Sequence, residues 1–321
     1  MSQGYENTIQ EQFSQLIHDN FHVQLSVKTL FVCGGEVDPL SAFPKSYRDN
    51  LLHYTASKDI EFHDCIVRAE EFKDYYKDDN YSDLLTFEDD IAYLSTLVII
   101  FLESPGSLVE LGLYCSRPQF YKKLLIVAPE EEVAGEDSFI YLGPLEYIKK
   151  KSSDSVLVYP FPKNEEEYDE LSSQDLCNEI QAKIDKSNDT EKFDLSNSGH
   201  LSLMITEIIR LCFPIQIGEI EICFESLGVD IRQGQVRRLL YLLQKMRFVA
   251  KKNHGRNTYY YPCLPEQKLV NFGKTKKDKT LDSQTLFMEV RQSFVAMVDA
   301  HSTKRKGALR QINELMKGEG E

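Results

Sequence analysis

Glu110, Ser107 and the backbone of Gly106 are the groups in this 321-residue sequence whose types and spacing could do chemistry. An apolar, β-branched run at 97–102 breaks at Ser104-Pro105-Gly106, and helical spacing resumes behind it. The pattern predicts a buried strand, a tight turn, and a helix that starts under the turn. In open α/β sheets, ligands bind beyond the carboxyl ends of the strands. A polar substrate at this turn would meet amide donors and the Ser107 hydroxyl, with the Glu110 carboxylate one helical turn further on. Ser107-x-x-Glu110 also spells a capping box, in which each side chain covers an orphan amide of the first helical turn. Spacing alone leaves both readings open.

The elements that must position this turn alternate in type. A strand is expected at 27–33, followed at once by Gly34-Gly35. Glycines there let backbone approach a ligand, or simply turn the chain; they do not complete G-x-G-x-x-G, so no dinucleotide fingerprint is assigned. A helix at 44–56 and a strand at 60–67 follow. Next come an acidic, tyrosine-rich loop at 70–83, its charges solvated, and a short helix at 87–94. Asp89 and Asp90 stand at the start of that helix, where its dipole favours acids. After the central strand, further strands are expected at 123–128 and 156–159. Between them Ser138-Phe139-Ile140 and Gly143-Pro144 lead into a helix ending in Lys149-Lys150-Lys151. Alternating β and α implies the α/β fold class, a doubly wound parallel sheet covered on both faces, of Rossmann type.

Domain boundaries follow from composition. Residues 1–24 form an amphipathic lead helix carrying Ile9, Phe13, Leu16 and Ile17. His18 and His22 are four apart on it, a metal-compatible spacing without a third ligand. Residues 25–162 are the α/β domain, and 163–198 an acidic linker with a docked helix near 176–184. Three helices and a hairpin with a basic tip at 199–265 read as a second, smaller winged-helix domain. Residues 266–321 are a basic helical tail, with a patch at Lys304-Arg305-Lys306 ahead of a final short helix.

The net charge of −14 is unevenly placed. Residues 199–321 hold 20 Lys/Arg against 13 Asp/Glu, a balance of +7 that leaves −21 to the rest. An acidic part joined to a basic part suggests different partners for each. Arg232, Arg237 and Arg238 fall on or near the recognition helix, and Lys251, Lys252 and Arg256 on the wing. These suit contact with phosphates and grooves, although winged helices also serve as protein–protein modules. Seven cysteines show no C-x-x-C pair and no zinc spacing, which suggests reduced thiols in a cytoplasmic protein. No signal peptide or membrane span is expected.

Three blocks carry a resemblance. Phe31-Val-Cys-Gly-Gly-Glu-Val, Glu103-Ser-Pro-Gly-Ser-Leu-Val-Glu-Leu-Gly and Ser138-Phe-Ile-Tyr-Leu-Gly-Pro, with Asp90-Ile-Ala-Tyr-Leu before the central strand, resemble the nucleoside 2-deoxyribosyltransferase and nucleotide N-glycosidase superfamily. They resemble more closely the effectors of retron anti-phage systems, which likewise join such a domain to a C-terminal winged helix. The convincing matches cover about 29–158.

The resemblance implies cleavage of an N-glycosidic bond, most simply that of NAD with release of nicotinamide, as a growth-arresting response to phage. It implies Glu110 as nucleophile or oxocarbenium stabiliser and Asp90 as the residue that contacts base or sugar and assists the leaving group. Ser104, Gly106 and Ser107 would bind substrate oxygens, and Gly34 and Gly35 would line the opposite wall. No cofactor or metal is called for; NAD would be substrate. The partners implied are the retron reverse transcriptase and its multicopy RNA–DNA hybrid, in a homo-oligomer or larger ribonucleoprotein. The sequence departs from the superfamily at Ser104-Pro105, where an Asp is common, and in carrying Glu36 and Asp38 where a basic phosphate ligand is expected. The alternatives are a metabolic deoxyribosyltransferase or nucleotide hydrolase, and a nucleotide-sensing winged-helix transcription factor.

Overall fold

The computed structural model describes residues 4–72, 74–76, 80–134, 141–162 and 168–318. The chain opens with α1 (Tyr5–Ser14) and β1 (His22–Gln24), then β2 (Leu30–Cys33), α2 (Tyr47–Lys58), α3 (Ile60–Asp64), β3 (Ile66–Arg68) and α4 (Leu84–Leu94). Next are β4 (Leu97–Phe101), α5 (Pro105–Cys115), β5 (Leu124–Pro129), α6 (Glu130–Ala134), α7 (Glu146–Lys151), β6 (Val156–Tyr159) and α8 (Glu170–Asp185). The remainder is β7 (Thr190–Lys192), α9 (Ser198–Cys212), α10 (Ile217–Ser226), α11 (Gln233–Lys245), β8 (Val249–His254), β9 (Asn257–Pro262), β10 (Val270–Asn271), α12 (Ser283–Val295) and α13 (Ala300–Gly318).

Two units emerge. One comprises 27–74 and 91–188; the other comprises 1–26, 75–90 and 189–321, so the division runs through α4 after Asp90. The first unit is built on a parallel sheet in the order β3-β2-β4-β5-β6. Counting from its first strand, that is 2-1-3-4-5, and the order reverses between β2 and β4, the topological switch point where doubly wound sheets bind ligands. All five residues of β4 are buried, which explains its unbroken Leu-Val-Ile-Ile-Phe: a central parallel strand is covered on both faces. Leu30, Val32, Leu97, Ile99, Phe101, Leu125 and Val127 form one face of the core with Leu51 of α2 and with Leu176 and Ile180 of α8. Each such buried side chain contributes roughly 1.5–3 kcal/mol. The Lys123 ammonium donates to the carbonyls of Tyr93 and Ser95 (2.8 and 2.9 Å) and so closes the C-terminal end of α4, where a cation is favoured.

In the second unit, β1 pairs antiparallel with β7 and β10, and α1 packs against α10 and α12. The first 26 residues therefore complete the C-terminal unit. Helix α9 is almost wholly buried in it. Helices α9, α10 and α11 precede the β8–β9 hairpin in the expected order, and an isolated bridge joins Ile215 to Tyr260. The hairpin turns at Gly255, whose φ of 63° is the left-handed conformation glycine favours. Lys251 and Lys252 lie in β8, ahead of that turn.

Several expectations are corrected. Residues 60–64 are helical, because the Asp59 carboxylate accepts the Phe62 amide at 3.0 Å and caps a new turn; only 66–68 is strand. Helix α4 begins three residues early, with Asp83 accepting the Thr86 amide at 2.8 Å, so Asp90 lies mid-helix. His18 is in a 3₁₀ turn and His22 in β1, which removes their shared helical face. In the acidic loop, Glu70 is ion-paired to buried Arg48. The final helix spans 19 residues and contains the basic patch. Within it Arg305 is buried, donating to the Pro214 carbonyl and Glu219 and lying over the Tyr5 ring. Ser138-Phe139-Ile140 lies outside the described residues.

A Cβ on Gly35 would stand 2.6 Å from Ser46 Cβ and 3.0 Å from Glu103 Cδ, whereas one on Gly106 meets only the Ser104 hydroxyl at 3.7 Å. Gly35→Ala is expected to destabilise by about 1–3 kcal/mol through this overpacking, and Gly106→Ala by less than about 0.5 kcal/mol. Denaturant unfolding of the two variants checks this; equal effects would contradict the packing described.

Candidate active site

The turn after β4 is built by serine chemistry. Ser104 is extended (φ −142°, ψ 156°) and caps α5, accepting the Ser107 amide at 3.1 Å; Ser107 Oγ accepts the Ser104 amide at 3.2 Å. The capping box is thus Ser104-x-x-Ser107, a frame one turn earlier than the one the sequence suggests, and Pro105 opens the helix, where its missing N–H is not needed. Ser107 is 1% exposed and its hydroxyl also donates to the Ser104 carbonyl at 2.8 Å. Its role in the described structure is to hold the turn. Ser104 Oγ further bonds the Gly34 carbonyl at 3.0 Å, joining the ends of β4 and β2 across the switch point.

Glu110 is the sixth residue of α5, beyond the first turn, so capping does not account for it. It is half-buried, and its Oε2 has essentially no exposed surface. Gly106 is exposed at the start of the helix.

Gly34 and Gly35 end β2 opposite this turn, and what approaches them is protein. A Cβ on Gly34 would lie 2.8 Å from Phe101 Cβ and 3.0 Å from Glu103 Oε1. Glu103, two residues past β4, reaches across the switch point. Its Oε1 accepts the amides of Gly35 (2.9 Å) and Arg48 (3.0 Å), and its Oε2 accepts that of Tyr47 (2.7 Å). It thereby occupies the N-terminus of α2, where free amides and the helix dipole favour an anion. Beneath the same loop, Arg48 is 1% exposed and donates to the carbonyls of Val32 and Gly35 and to Glu70 at 2.6 Å. Asp49, fully buried, accepts the amides of Asp38 (3.2 Å) and Lys45 (2.9 Å) and folds the loop back on α2. Sequence reasoning missed these three roles. Glu103 carried a signal, a carboxylate directly after the most apolar strand; Arg48 and Asp49, inside an ordinary polar helix start, carried none.

Asp90 belongs to the other unit and is described there. It is 3% exposed, and its Oδ2 accepts the Tyr81 hydroxyl (3.1 Å) and Arg238 Nε (2.9 Å). Burial pushes the Tyr81 phenol well above its ordinary range, and the Asp90 charge adds to this. Arg238 therefore turns inward from α11, while Arg232, Arg237, Lys251 and Arg256 are exposed and Lys252 is half-buried. Burial raises the Glu221 carboxyl, and the nearby Arg237 charge opposes it.

No cluster of three or more His, Cys, Asp or Glu side chains able to hold a metal occurs among the described residues, and no helix among them is long and apolar enough to cross a membrane. None of the seven cysteines is in a disulfide.

The family model for the STM3845 retron effector protein matches residues 44–291, spanning the central strand, Glu110 and the three-helix-and-hairpin segment. The chain belongs to that family. Two relatives from Escherichia coli are named, by inference, as ribosyltransferase/DNA-binding proteins. That of retron Ec86 is 30% identical over 150 residues, 46% of this chain and 46% of the relative. That of retron Ec73 is 29% identical over 224 residues, 63% of this chain and 68% of the relative. The chain thus spans about half the length of the first and two thirds of the second.

Arg238→Ala removes a charge-assisted hydrogen bond from a buried carboxylate and is expected to cost about 2 kcal/mol; exposed Arg237→Ala should stay within about 0.5 kcal/mol. Thermal unfolding of both variants, compared at one pH, tests the inward placement of Arg238.

Proposed function

We propose that this retron effector cleaves an N-glycosidic bond, with NAD as substrate and nicotinamide as leaving group, to arrest the growth of phage-infected cells. The observation that carries the reading is Glu110: a half-buried carboxylate on the helix after the central strand, one turn past a cap that makes no use of it. The ribosyltransferase names of the two relatives point to the same bond class. In this reading the Glu110 carboxylate faces C1′ of the ribose. The bond from C1′ to the base nitrogen breaks and its electron pair leaves with the base. The positive charge developing on the sugar is met by the carboxylate, either covalently or electrostatically, and water completes the hydrolysis. Asp90, held within its own unit by Tyr81 and Arg238, keeps the base or sugar role only as what the resemblance implies. The unit containing α9–α11 and the β8–β9 hairpin acts as a winged helix. It holds the effector to the reverse transcriptase and its RNA–DNA hybrid, which restrain it in a ribonucleoprotein assembly.

Glu110→Gln is expected to lower NAD hydrolysis by at least about 10²-fold. Mass spectrometry of NAD and nicotinamide in cells induced for either form provides the test. Intact NAD in cells expressing the wild-type chain without partners would reject the substrate assignment. If the exposed cations meet phosphates, Arg237→Ala and Lys251→Ala should each lower the log–log salt slope of binding to an RNA–DNA hybrid by about 1. Unchanged slopes would turn the basic surface over to a protein partner.

A further inference from the structure

We propose that Glu103 is the residue that selects the sugar: it accepts a ribose hydroxyl and excludes a phosphate from the switch point. The proposal rests on the N-glycosidase reading for the kind of ligand, and on geometry for the residue. A carboxylate offers about four acceptor positions. Glu103 spends three on backbone amides, two at Oε1 and one at Oε2. The residue is intermediate in burial, and the count leaves Oε2 one acceptor position for a ligand donor. Amides from two separate segments, Gly35 and Tyr47–Arg48, fix its position before any ligand arrives. Gly34 and Gly35 lack side chains where a Cβ would collide with it.

Its place also matters. It stands at the end of the central strand, between β2 and β4, where the sheet's topology opens a ligand crevice. In dinucleotide-binding α/β folds an acidic side chain at a different strand end, about 20 residues past the glycine turn, accepts a ribose hydroxyl; Glu103 offers the same chemistry after the central strand. The α2 N-terminus would otherwise attract a phosphate, and Glu103 already fills it with negative charge. A phosphate brought there would face a carboxylate that the fold cannot easily turn away. The ligand class is therefore a nucleotide presenting a ribose hydroxyl to this position, with its phosphates elsewhere. In NAD the sugar meant is the adenosine ribose, the one that carries the extra phosphate in NADP: removing the accepted hydroxyl loses the contact, and a 2′-phosphate meets like charge.

Calorimetry on the full-length protein can measure ADP-ribose, 2′-deoxy- and 3′-deoxy-ADP-ribose, and 2′-phospho-ADP-ribose, alongside turnover of NAD and NADP. The wild-type chain is expected to bind one of the two deoxy analogues about tenfold to a hundredfold more weakly than ADP-ribose, the magnitude of a hydrogen bond to a charged group, and to disfavour the 2′-phosphate. Glu103→Gln should erase the hydroxyl preference and relax the rejection of phosphate. Because the analogues probe the wild-type protein, the result does not depend on how well the variant folds. Equal affinity for ADP-ribose and both deoxy analogues overturns the proposal even if NAD is hydrolysed. A hydroxyl preference that Glu103→Gln erases, without any NAD turnover, upholds Glu103 and overturns the glycosidase reading; a preference that survives Glu103→Gln overturns the proposal. No binding of any analogue and no turnover overturns both.

Discussion

Three backbone amides converging on one carboxylate hold the centre of the α/β unit together. Glu103 accepts from the loop after β2 and from the first turn of α2 while standing on the turn after β4. Three segments distant in sequence meet at an ion that each of them needs. Ser104 adds a fourth tie, from the α5 cap to the Gly34 carbonyl. Arg48 donates to the carbonyls of Val32 at the end of β2 and of Gly35 in the loop. Gly35 is thus held through both its amide and its carbonyl. Such a site has little freedom to reorganise, which suits electrostatic catalysis, where preset charges cost nothing to orient at the moment of reaction.

This arrangement also changes what the glycines mean. In the sequence they offered two readings, close approach to a ligand or a plain turn. In the structure the close approach is to Phe101, Ser46 and Glu103. The serines shifted in the same way. Ser107 faces its own turn.

How much was legible depended on the range of the interaction that decided each element. The central strand, the S-P-G turn and α5 were readable because their signals, a β-branched run and a helix start, are local. The helix order at 199–246 was readable for the same reason. Residues 60–64 were misjudged because Ile60 and Phe62 alternate like a strand, while the Asp59 cap that decides the matter looks like any loop acid. The fate of the first 26 residues was invisible. Three-residue strands have no periodicity, and β1 is specified only by partners near 190 and 270. Arg305, inside a basic triplet, looked solvated until Glu219 and Tyr5 were found around it. For the candidate site, spacing points to Glu110 and the resemblance to Asp90, while the amides that converge on Glu103 come from segments 55 to 68 residues away and leave no local mark.

The interleaving of the two units sets a schedule during synthesis. The strands of the α/β sheet are all made between residues 30 and 159, so that unit can close while the ribosome is still translating. The other unit begins with α1 and β1, which must then wait for β7, α10 and β10. At about 5–20 residues per second, the interval from residue 26 to residue 189 is roughly 10–30 s. For that time the lead segment has no native strand partner, and its apolar face is open to chaperones or to the lead segment of a neighbouring nascent chain. A chain interrupted after residue 188 would therefore carry the whole parallel sheet without α9–α13.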